Sequence, residues 1–392
     1  MVRYFIKVLT SLIAFTVILS LIFFFANRSY AKVSGECSNC HTMHNSQNGT
    51  QMIIGYNPDS GTGPYDNLMR VNGCLGCHAA TEQTTSTDSL TGAPIVLNAA
   101  TDGPSYGARY KSEAYQGLAG GNFYWVWAGD DTKGHNIFSS NPDDYLSDAP
   151  GRPSPPPGPG RCSNNDSCHV NLNKPYEGAP LGLTGRQGCT GCHMVDDDNK
   201  PSGYHHADDS DTVINDFPWY RFLGSKIKHN QTFGAGVSGI ENSQWELDAS
   251  STAHNEYKGE YESGGNNNKN WSISNHTITA FCCGCHGNFH IQEESGAWIR
   301  HPSDAVIPSL GEYSAYTNFN PQAPVARPEL EGWEGPRKGI YLDEDLVMCL
   351  SCHRPHGSPY PDLLRWNYND MLAGGEDNDS GCFICHSQKD NS

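Results

Sequence analysis

Cysteine and histidine recur along this sequence at a spacing that suits a metal-containing cofactor. In the repeated pattern Cys-x-x-Cys-His, two thiols three positions apart are followed directly by an imidazole. This pattern is the attachment signature of c-type haem. The thiols add to the two vinyl groups of the haem, and the histidine becomes an axial ligand of the iron. Six copies occur: Cys37/Cys40/His41, Cys74/Cys77/His78, Cys189/Cys192/His193, Cys282/Cys285/His286, Cys349/Cys352/His353 and Cys382/Cys385/His386.

Zinc knuckles and redox dithiols are the other common uses of paired cysteines. Neither requires a histidine directly after the second cysteine, yet the histidine follows in all six copies here. The repeats therefore predict six covalently attached haems.

A seventh site is predicted where five residues, rather than two, separate the thiols. Cys162 and Cys168 are followed by His169, and a longer loop can bulge outward while still presenting both sulfurs. The alternative is a small disulfide-closed loop. Seven pairs would use 14 of the 15 cysteines and leave Cys283, which is expected to be a buried free thiol or, alternatively, to form an intermolecular disulfide.

Ten further histidines are available as second axial ligands, which is enough for seven bis-histidine haems. Methionine is the alternative ligand and would raise the potential, but Met43 and Met194 beside the motifs are expected to be packing groups. Bis-histidine iron has no open coordination position. We therefore predict an electron-transfer protein rather than an enzyme, with a multihaem reductase that leaves one haem open as the alternative.

Three of these candidates follow a motif histidine by only three or four positions. A residue so close stays on the same side of its own haem and is expected to ligate a neighbouring haem instead. They are His44, His290 and His356.

The N-terminus resembles an export signal. Arg3 and Lys7 precede an apolar run from residue 8 to residue 26, and Ser29-Tyr30-Ala31 offers small residues at a cleavage site. Cleavage is expected after Ala31, although the run is long enough to remain as a membrane anchor. Either outcome exports the chain to the cell exterior or outer surface, with the periplasm as the alternative.

The composition is acidic and poor in apolar residues. After residue 31 the chain has 22 Lys and Arg against 43 Asp and Glu, a net charge of −21, which argues against nucleic acid as a partner. Only 36% of residues are hydrophobic, while Gly and Pro number 42 and 24. Haem is therefore expected to supply much of the apolar bulk of the interior.

Four regions are predicted: a signal peptide at 1–31, a two-haem region at 32–149, a Pro/Gly-rich linker or loop at 150–160, and a five-haem region at 161–392. The first cysteines of the motifs are 37, 88, 27, 93, 67 and 33 residues apart, and the short gaps predict stacked haem pairs. The fold is expected to be mostly irregular coil with few short helices and minimal strand, organised around a chain of stacked haems. Short helices are expected at haem motifs and near 362–372, and residues 123–127 could be a strand or packing against haem.

Several segments carry a more specific resemblance, in the same order over most of the chain. They are Gly35 to Ser46, Gly121-Asn122-Phe123 with Lys133-Gly134-His135-Asn136-Ile137, Arg300-His301-Pro302, Cys349 to His356 and the terminal Cys382/Cys385/His386. They resemble the extracellular multihaem cytochromes of metal-reducing bacteria that polymerise into conductive filaments, the OmcS-type nanowire cytochromes.

This resemblance implies a head-to-tail filament of bis-histidine haems that accepts electrons from other cytochromes and delivers them to extracellular metal oxides or cells. A monomeric periplasmic or outer-surface electron shuttle is the alternative. The resemblance assigns His44 to a haem of the next subunit. It implies as distal ligands His44, His135, His290, His301 and His356.

The chain also departs from that family. The best-known members carry six haems, the five-residue spacer between Cys162 and Cys168 is foreign to them, and 211–259 has no clear equivalent. To complete the ligand set we select His205 and His254, rather than His206, His229 or His276.

Overall fold

The structure is a computed structural model that describes part of the chain. The described residues are 36–42, 46–51, 75–80, 87–98, 118–128, 130–137, 189, 192–193, 212–213, 220–223, 236–247, 249–261, 276–282, 286, 301–330, 335–372 and 380–389. The predicted signal segment and the Pro/Gly-rich linker lie outside these residues, so both stay predictions, as does the division into regions. In the described part, no helix has the length and apolar character needed to cross a membrane.

The α-helices of the described residues are single turns of four or five residues. They are α1 Cys37–Cys40, α2 Leu75–His78, α3 Tyr124–Trp127, α4 Ile278–Cys282, α5 Cys349–Cys352 and α6 Cys382–Cys385. All except α3 contain motif residues, which agrees with the expectation of short helices at haem motifs. Near 362–372 the chain forms two 3-10 turns, Pro361–Leu363 and Tyr368–Asp370.

The α3 turn corrects one alternative drawn from the sequence, a strand over residues 123–127. The N–H of Trp127 donates to the carbonyl of Phe123 at 2.9 Å, and that of Ala128 donates to Tyr124 at 2.8 Å. These bonds to residues four positions earlier are helical.

Strands are two or three residues long. They are β1 Ser46–Gln47, β2 Thr50–Gln51, β3 Ala79–Ala80, β4 Leu97–Asn98, β5 Thr212–Val213, β6 Gly239–Ile240, β7 Glu256–Lys258, β8 Ala305–Val306, β9 Ala326–Arg327 and β10 Leu346–Val347. β1 pairs with β2, β3 pairs in parallel with β4, and six strands form one sheet in the order β5-β6-β7-β9-β10-β8. In that sheet only β7 and β9 run parallel. The expected coil fold with minimal strand is confirmed.

Two small apolar clusters pack directly against motif cysteines. The first surrounds the sheet and contacts Cys192 and Cys282, and the second contacts Cys385. The members of the first are Tyr220, Val237, Tyr257, Ile278, Phe281, Ala326, Leu346, Met348 and Leu350. Those of the second are Ile307, Tyr316, Phe319, Ala323, Val325, Ile340 and Ile384. The side-chain core thus lies beside the haem motifs and fixes their positions.

Backbone hydrogen bonds dock residues 118–137 onto residues 354–358. The N–H of His356 donates to Gly120 at 2.7 Å, and that of Ser358 donates to Lys133 at 2.9 Å. Gly357 has φ +137, and a Cβ there would come within 2.8 Å of the Asn122 carbonyl oxygen. Because only glycine tolerates this backbone and this approach, Gly357 allows the two segments to lie in contact.

A buried ion network joins two strands of the sheet to the residue that precedes a third. Glu256, Arg327 and Asp345 are all 0% exposed, and the Arg327 guanidinium bonds both carboxylates, with its Nε 2.9 Å from Glu256 Oε2. The network joins β7 to β9 and to the residue before β10.

Candidate haem sites

At five of the motifs the chain forms a closed turn between the first cysteine and the histidine. Side chains three or four positions apart share one face of a helical turn, so the first thiol and the imidazole lie together, joined by the second thiol at the four motifs where the structure describes it. In each of these turns the N–H of the motif histidine donates to the carbonyl of the first cysteine. The distances are 2.8 Å for His41–Cys37, 2.9 Å for His193–Cys189, 2.9 Å for His286–Cys282, 3.1 Å for His353–Cys349 and 3.0 Å for His386–Cys382.

At the second motif the structure describes the second cysteine and the histidine but not the first cysteine. Cys77 and His78 end the helical turn α2, Leu75–His78, whereas Cys74 lies outside the described residues. Cys77 is half-buried and forms no disulfide with another described cysteine. The predicted attachment of one haem through Cys74 and Cys77 together is therefore not tested by this structure and stays a prediction.

The other described motif cysteines likewise form no disulfides with one another. Burial raises the pKa of Cys192 to about 11. Burial and the neighbouring Cys382 raise the pKa of Cys352 to about 12, and burial and Cys352 do the same for Cys385. Zinc binds the thiolate form, which these environments disfavour. The effect of Cys382 on Cys352, and of Cys352 on Cys385, indicates that the sixth and seventh motifs lie close together.

Three pairs of histidine rings are spaced as two imidazoles on opposite sides of one metal ion. An imidazole nitrogen lies about 2 Å from a bound metal, so the centres of two trans rings are about 6 Å apart. The measured centroid distances are 6.1 Å for His135–His286, 6.0 Å for His193–His356 and 6.3 Å for His301–His386. Each pair joins a motif histidine to a histidine predicted as a distal ligand, so the donor set fits bis-histidine haem.

Six histidines of the candidate sites are oriented by hydrogen bonds at Nδ1. A ligating histidine usually donates its second ring N–H to a carbonyl or carboxylate, which directs the other nitrogen at the metal. The bonds to backbone carbonyls are His78 to Pro94 at 2.8 Å, His135 to Pro355 at 2.9 Å, His193 to Arg221 at 2.9 Å, His301 to Pro302 at 3.0 Å and His353 to Asp362 at 2.8 Å. In contrast, His386 bonds a side chain, with its Nδ1 2.8 Å from Glu312 Oε1.

Burial keeps these imidazoles in the neutral form that binds metal. It lowers the pKa of His78, His135, His193, His301 and His353. The effect is largest at His356, where burial and the nearby rings of His193, His135 and His78 lower the pKa to about 3. These imidazoles are therefore unprotonated at neutral pH, the form in which they can bind a metal ion.

Residues 353–356 form a junction of three candidate haem sites. His353 belongs to the sixth motif, His356 lies 6.0 Å from His193 of the fourth, and Pro355 accepts the Nδ1 bond of His135, which faces His286 of the fifth. Phe123 stacks on His356 with ring centres 4.5 Å apart. That His356 ligates a neighbouring haem stays a prediction, and the ring of His193 is the nearest motif imidazole that the structure pairs with it.

His254 is placed differently from the other predicted ligands. Its Nδ1 bonds the Ser250 carbonyl at 2.9 Å, its Nε2 faces Glu256 Oε1 at 3.3 Å, and its ring stacks on Phe319 at 3.5 Å. Because protein groups engage both nitrogens, the geometry disfavours His254 as an iron ligand.

His276 is not among the ligands predicted from the sequence, but its ring is held at Nδ1 by a backbone carbonyl, as in several of the paired histidines. Its Nδ1 lies 3.0 Å from the Gly236 carbonyl. It precedes Cys282 by six residues, a spacing that matches no motif and gave no reason to select it.

Other predicted site residues fall outside the described part of the chain and stay predictions. They are Cys74, Cys162, Cys168, His169, Cys285, His44, His205 and His290.

Comparison with known proteins gives one family match and similarity to two solved structures. Residues 343–391, which hold the sixth and seventh motifs, match the doubled CXXCH motif family. The chain is similar to the outer membrane cytochrome S filament of Geobacter sulfurreducens, with 18% identity over 92% of this chain and 93% of that one and a TM-score of 0.49. It is also similar to an OmcS nanowire chain of the same organism, with 18% identity over 86% of this chain and 85% of that one and a TM-score of 0.42. Among curated proteins, none matches the chain significantly.

The match over residues 343–391 agrees with the two Cys-x-x-Cys-His motifs predicted there from the sequence. The doubled motif, together with the similar turn between the first cysteine and the histidine at five Cys-x-x-Cys-His motifs, supports covalently attached haem c as the cofactor.

Proposed function

We propose that this chain is an extracellular electron-transfer protein with seven haems c, and that it polymerises into a conductive filament carrying electrons to external acceptors. The main support for electron transfer is the set of three histidine pairs whose ring centres lie 6.0 to 6.3 Å apart. Iron held by two imidazoles changes its oxidation state without an open position for a substrate.

The junction at residues 353–356 supports transfer between haems. One short segment contributes a motif histidine to the sixth haem and a distal ligand to the fourth, and orients the distal ligand of the fifth. Covalent attachment and shared segments hold these haems at fixed separations, which sequential electron transfer requires.

Export and polymerisation are supported by the sequence. The basic and apolar N-terminal segment directs the chain out of the cytoplasm. The segments that resemble filament-forming cytochromes include the one containing His44, which the resemblance assigns to a haem of the next subunit.

Carbon monoxide binding and electron microscopy test the proposed function. We expect a wholly low-spin oxidised spectrum, no rapid carbon monoxide binding by the reduced protein, and filaments in material sheared from cells. Rapid binding by one haem equivalent would contradict bis-histidine ligation and favour a reductase. Dispersed single particles with normal spectra would instead favour a monomeric shuttle.

The haem count is tested by intact mass. We expect the mass of the secreted chain to exceed that of the polypeptide from residue 32 by seven haems. Replacing both Cys162 and Cys168 with Ala should remove one haem, whereas Cys283→Ala should retain all seven and serves as the matched control. A wild-type mass increase of six haems, unchanged by the double substitution, would assign Cys162 and Cys168 to a disulfide.

A further inference from the structure

The histidine of the seventh motif is held by a carboxylate. Nδ1 of His386 lies 2.8 Å from Glu312 Oε1. Among the histidines whose Nδ1 contact the structure describes, the others bond backbone carbonyls, as His193 and His353 do. A carboxylate differs from a carbonyl because it carries a full negative charge and accepts a stronger hydrogen bond.

The main chain fixes Glu312 in this position. Glu312 lies in the 3-10 turn Gly311–Tyr313, and its carbonyl accepts bonds from the Gln388 N–H at 2.8 Å and from Ser387 Oγ at 3.2 Å. The turn is therefore tied to the residues that directly follow His386. The second carboxylate oxygen, Oε2, faces Lys389 Nζ at 3.7 Å.

The bond strengthens His386 as an electron donor to iron. When Nδ1–H donates to a carboxylate, the imidazole gains negative charge and Nε2 becomes a more basic ligand. A more basic ligand stabilises oxidised iron relative to reduced iron, since the oxidised form carries the greater positive charge. Hydrogen bonding around the ligands is one of the main ways in which proteins set haem potentials.

We propose that Glu312 lowers the reduction potential of the haem attached at Cys382 and Cys385 and ligated by His386 and His301, relative to haems whose histidines bond backbone carbonyls. This inference rests on the proposed function, since it requires haem at the seventh motif. Glu312 is a positioning residue that acts through His386. A lower reduction potential at the haem of the seventh motif would favour electron flow from that haem to its neighbours.

The test is potentiometric titration of the full haem-loaded protein, wild type against Glu312→Gln. We expect one haem equivalent per chain to move to higher potential by about tenfold in its equilibrium constant, about 59 mV for a one-electron couple. Glu312→Asp, which keeps the charge, should restore most of the wild-type curve. Electron paramagnetic resonance should show altered g-values for one low-spin haem in Glu312→Gln only.

Two control variants separate the hydrogen bond from a general change of charge or structure. Glu344→Gln removes an exposed carboxylate of the same size and should leave the curve unchanged. Lys389→Gln removes the Glu312–Lys389 contact but keeps the Glu312 carboxylate. It should therefore move the potential downward or not at all. An unshifted Glu312→Gln curve, or a shift that Glu344→Gln reproduces, would overturn the inference.

Peptide mass distinguishes failure of this inference from failure of the proposed function. A peptide containing Cys382 and Cys385 without haem would refute both. Haem on that peptide with an unmoved potential would refute the role of Glu312 alone.

Discussion

A histidine suits haem iron when the protein holds one ring nitrogen and leaves the other directed at the metal. His301 meets this condition, with Nδ1 on the Pro302 carbonyl and its ring 6.3 Å from that of His386. At His254, Glu256 occupies the position that iron would take, and the ring instead stacks on Phe319. The two residues share a predicted role but differ in what surrounds them.

Alanine substitution should separate these two roles. We expect His301→Ala to leave one haem five-coordinate, visible as a high-spin band and as carbon monoxide binding by one haem equivalent. His254→Ala should keep all haems low-spin, because no ligand is lost, but should lower stability by about 1–3 kcal/mol since a buried carboxylate loses a hydrogen bond. A high-spin haem in His254→Ala would restore His254 as a ligand.

At the scale of elements, the helical turns at the motifs were predictable and the sheet was not. The spacing of Cys349 and Cys352 on one face already implies a helical turn. A strand such as Gly239–Ile240 has two residues, whereas alternation becomes a signal only over about four to eight. The α3 turn was missed for a related reason, since its apolar run Tyr-Trp-Val-Trp is too short to distinguish helix from strand.

Strands this short need side-chain interactions in addition to their own backbone hydrogen bonds. Arg327 supplies one by bonding Glu256 of β7 and Asp345 before β10 while fully buried. A buried carboxylate without its cation is costly, because it has lost its hydration without gaining a compensating charge.

We therefore expect Arg327→Ala to lower the free energy of unfolding by about 3–5 kcal/mol. Denaturant titration followed by far-ultraviolet circular dichroism measures the change. Lys338→Ala, which removes an exposed cation from the same part of the chain, should change it by less than about 0.5 kcal/mol. Equal denaturation midpoints for the two variants would show that the network does not stabilise the sheet.

At the scale of the whole molecule, four of the candidate sites form a connected series. The junction at 353–356 relates the fourth, fifth and sixth motifs, and the proximity of Cys352 to Cys382 and Cys385 continues the series to the seventh. The sequence predicted that His356 would reach beyond its own haem. The sequence could not show which haem, because His193, whose ring lies 6.0 Å from that of His356, is 163 positions earlier in the chain.

A filament requires the series to continue from one subunit to the next, and His44 is the residue predicted to provide that link. It lies outside the described residues. Because it follows His41 by three positions, we expect it to be directed away from the distal face of its own haem, and it is only 13 residues from the expected new N-terminus. A metal–ligand bond between subunits is a head-to-tail contact, which repeats into an open filament when its rotation does not close.

We expect His44→Ala to abolish or greatly shorten filaments in negative-stain images and to leave one haem per chain high-spin. The fold and the other haems should persist, because the remaining attachments are covalent. His301→Ala is the matched control: it also removes one axial ligand, but it acts within a subunit and should leave filaments intact. Normal filaments with one high-spin haem in His44→Ala would mean that His44 ligates a haem of its own chain. Normal filaments with wholly low-spin haem would show that His44 is not a ligand, and the contact between subunits would then have to come from other residues.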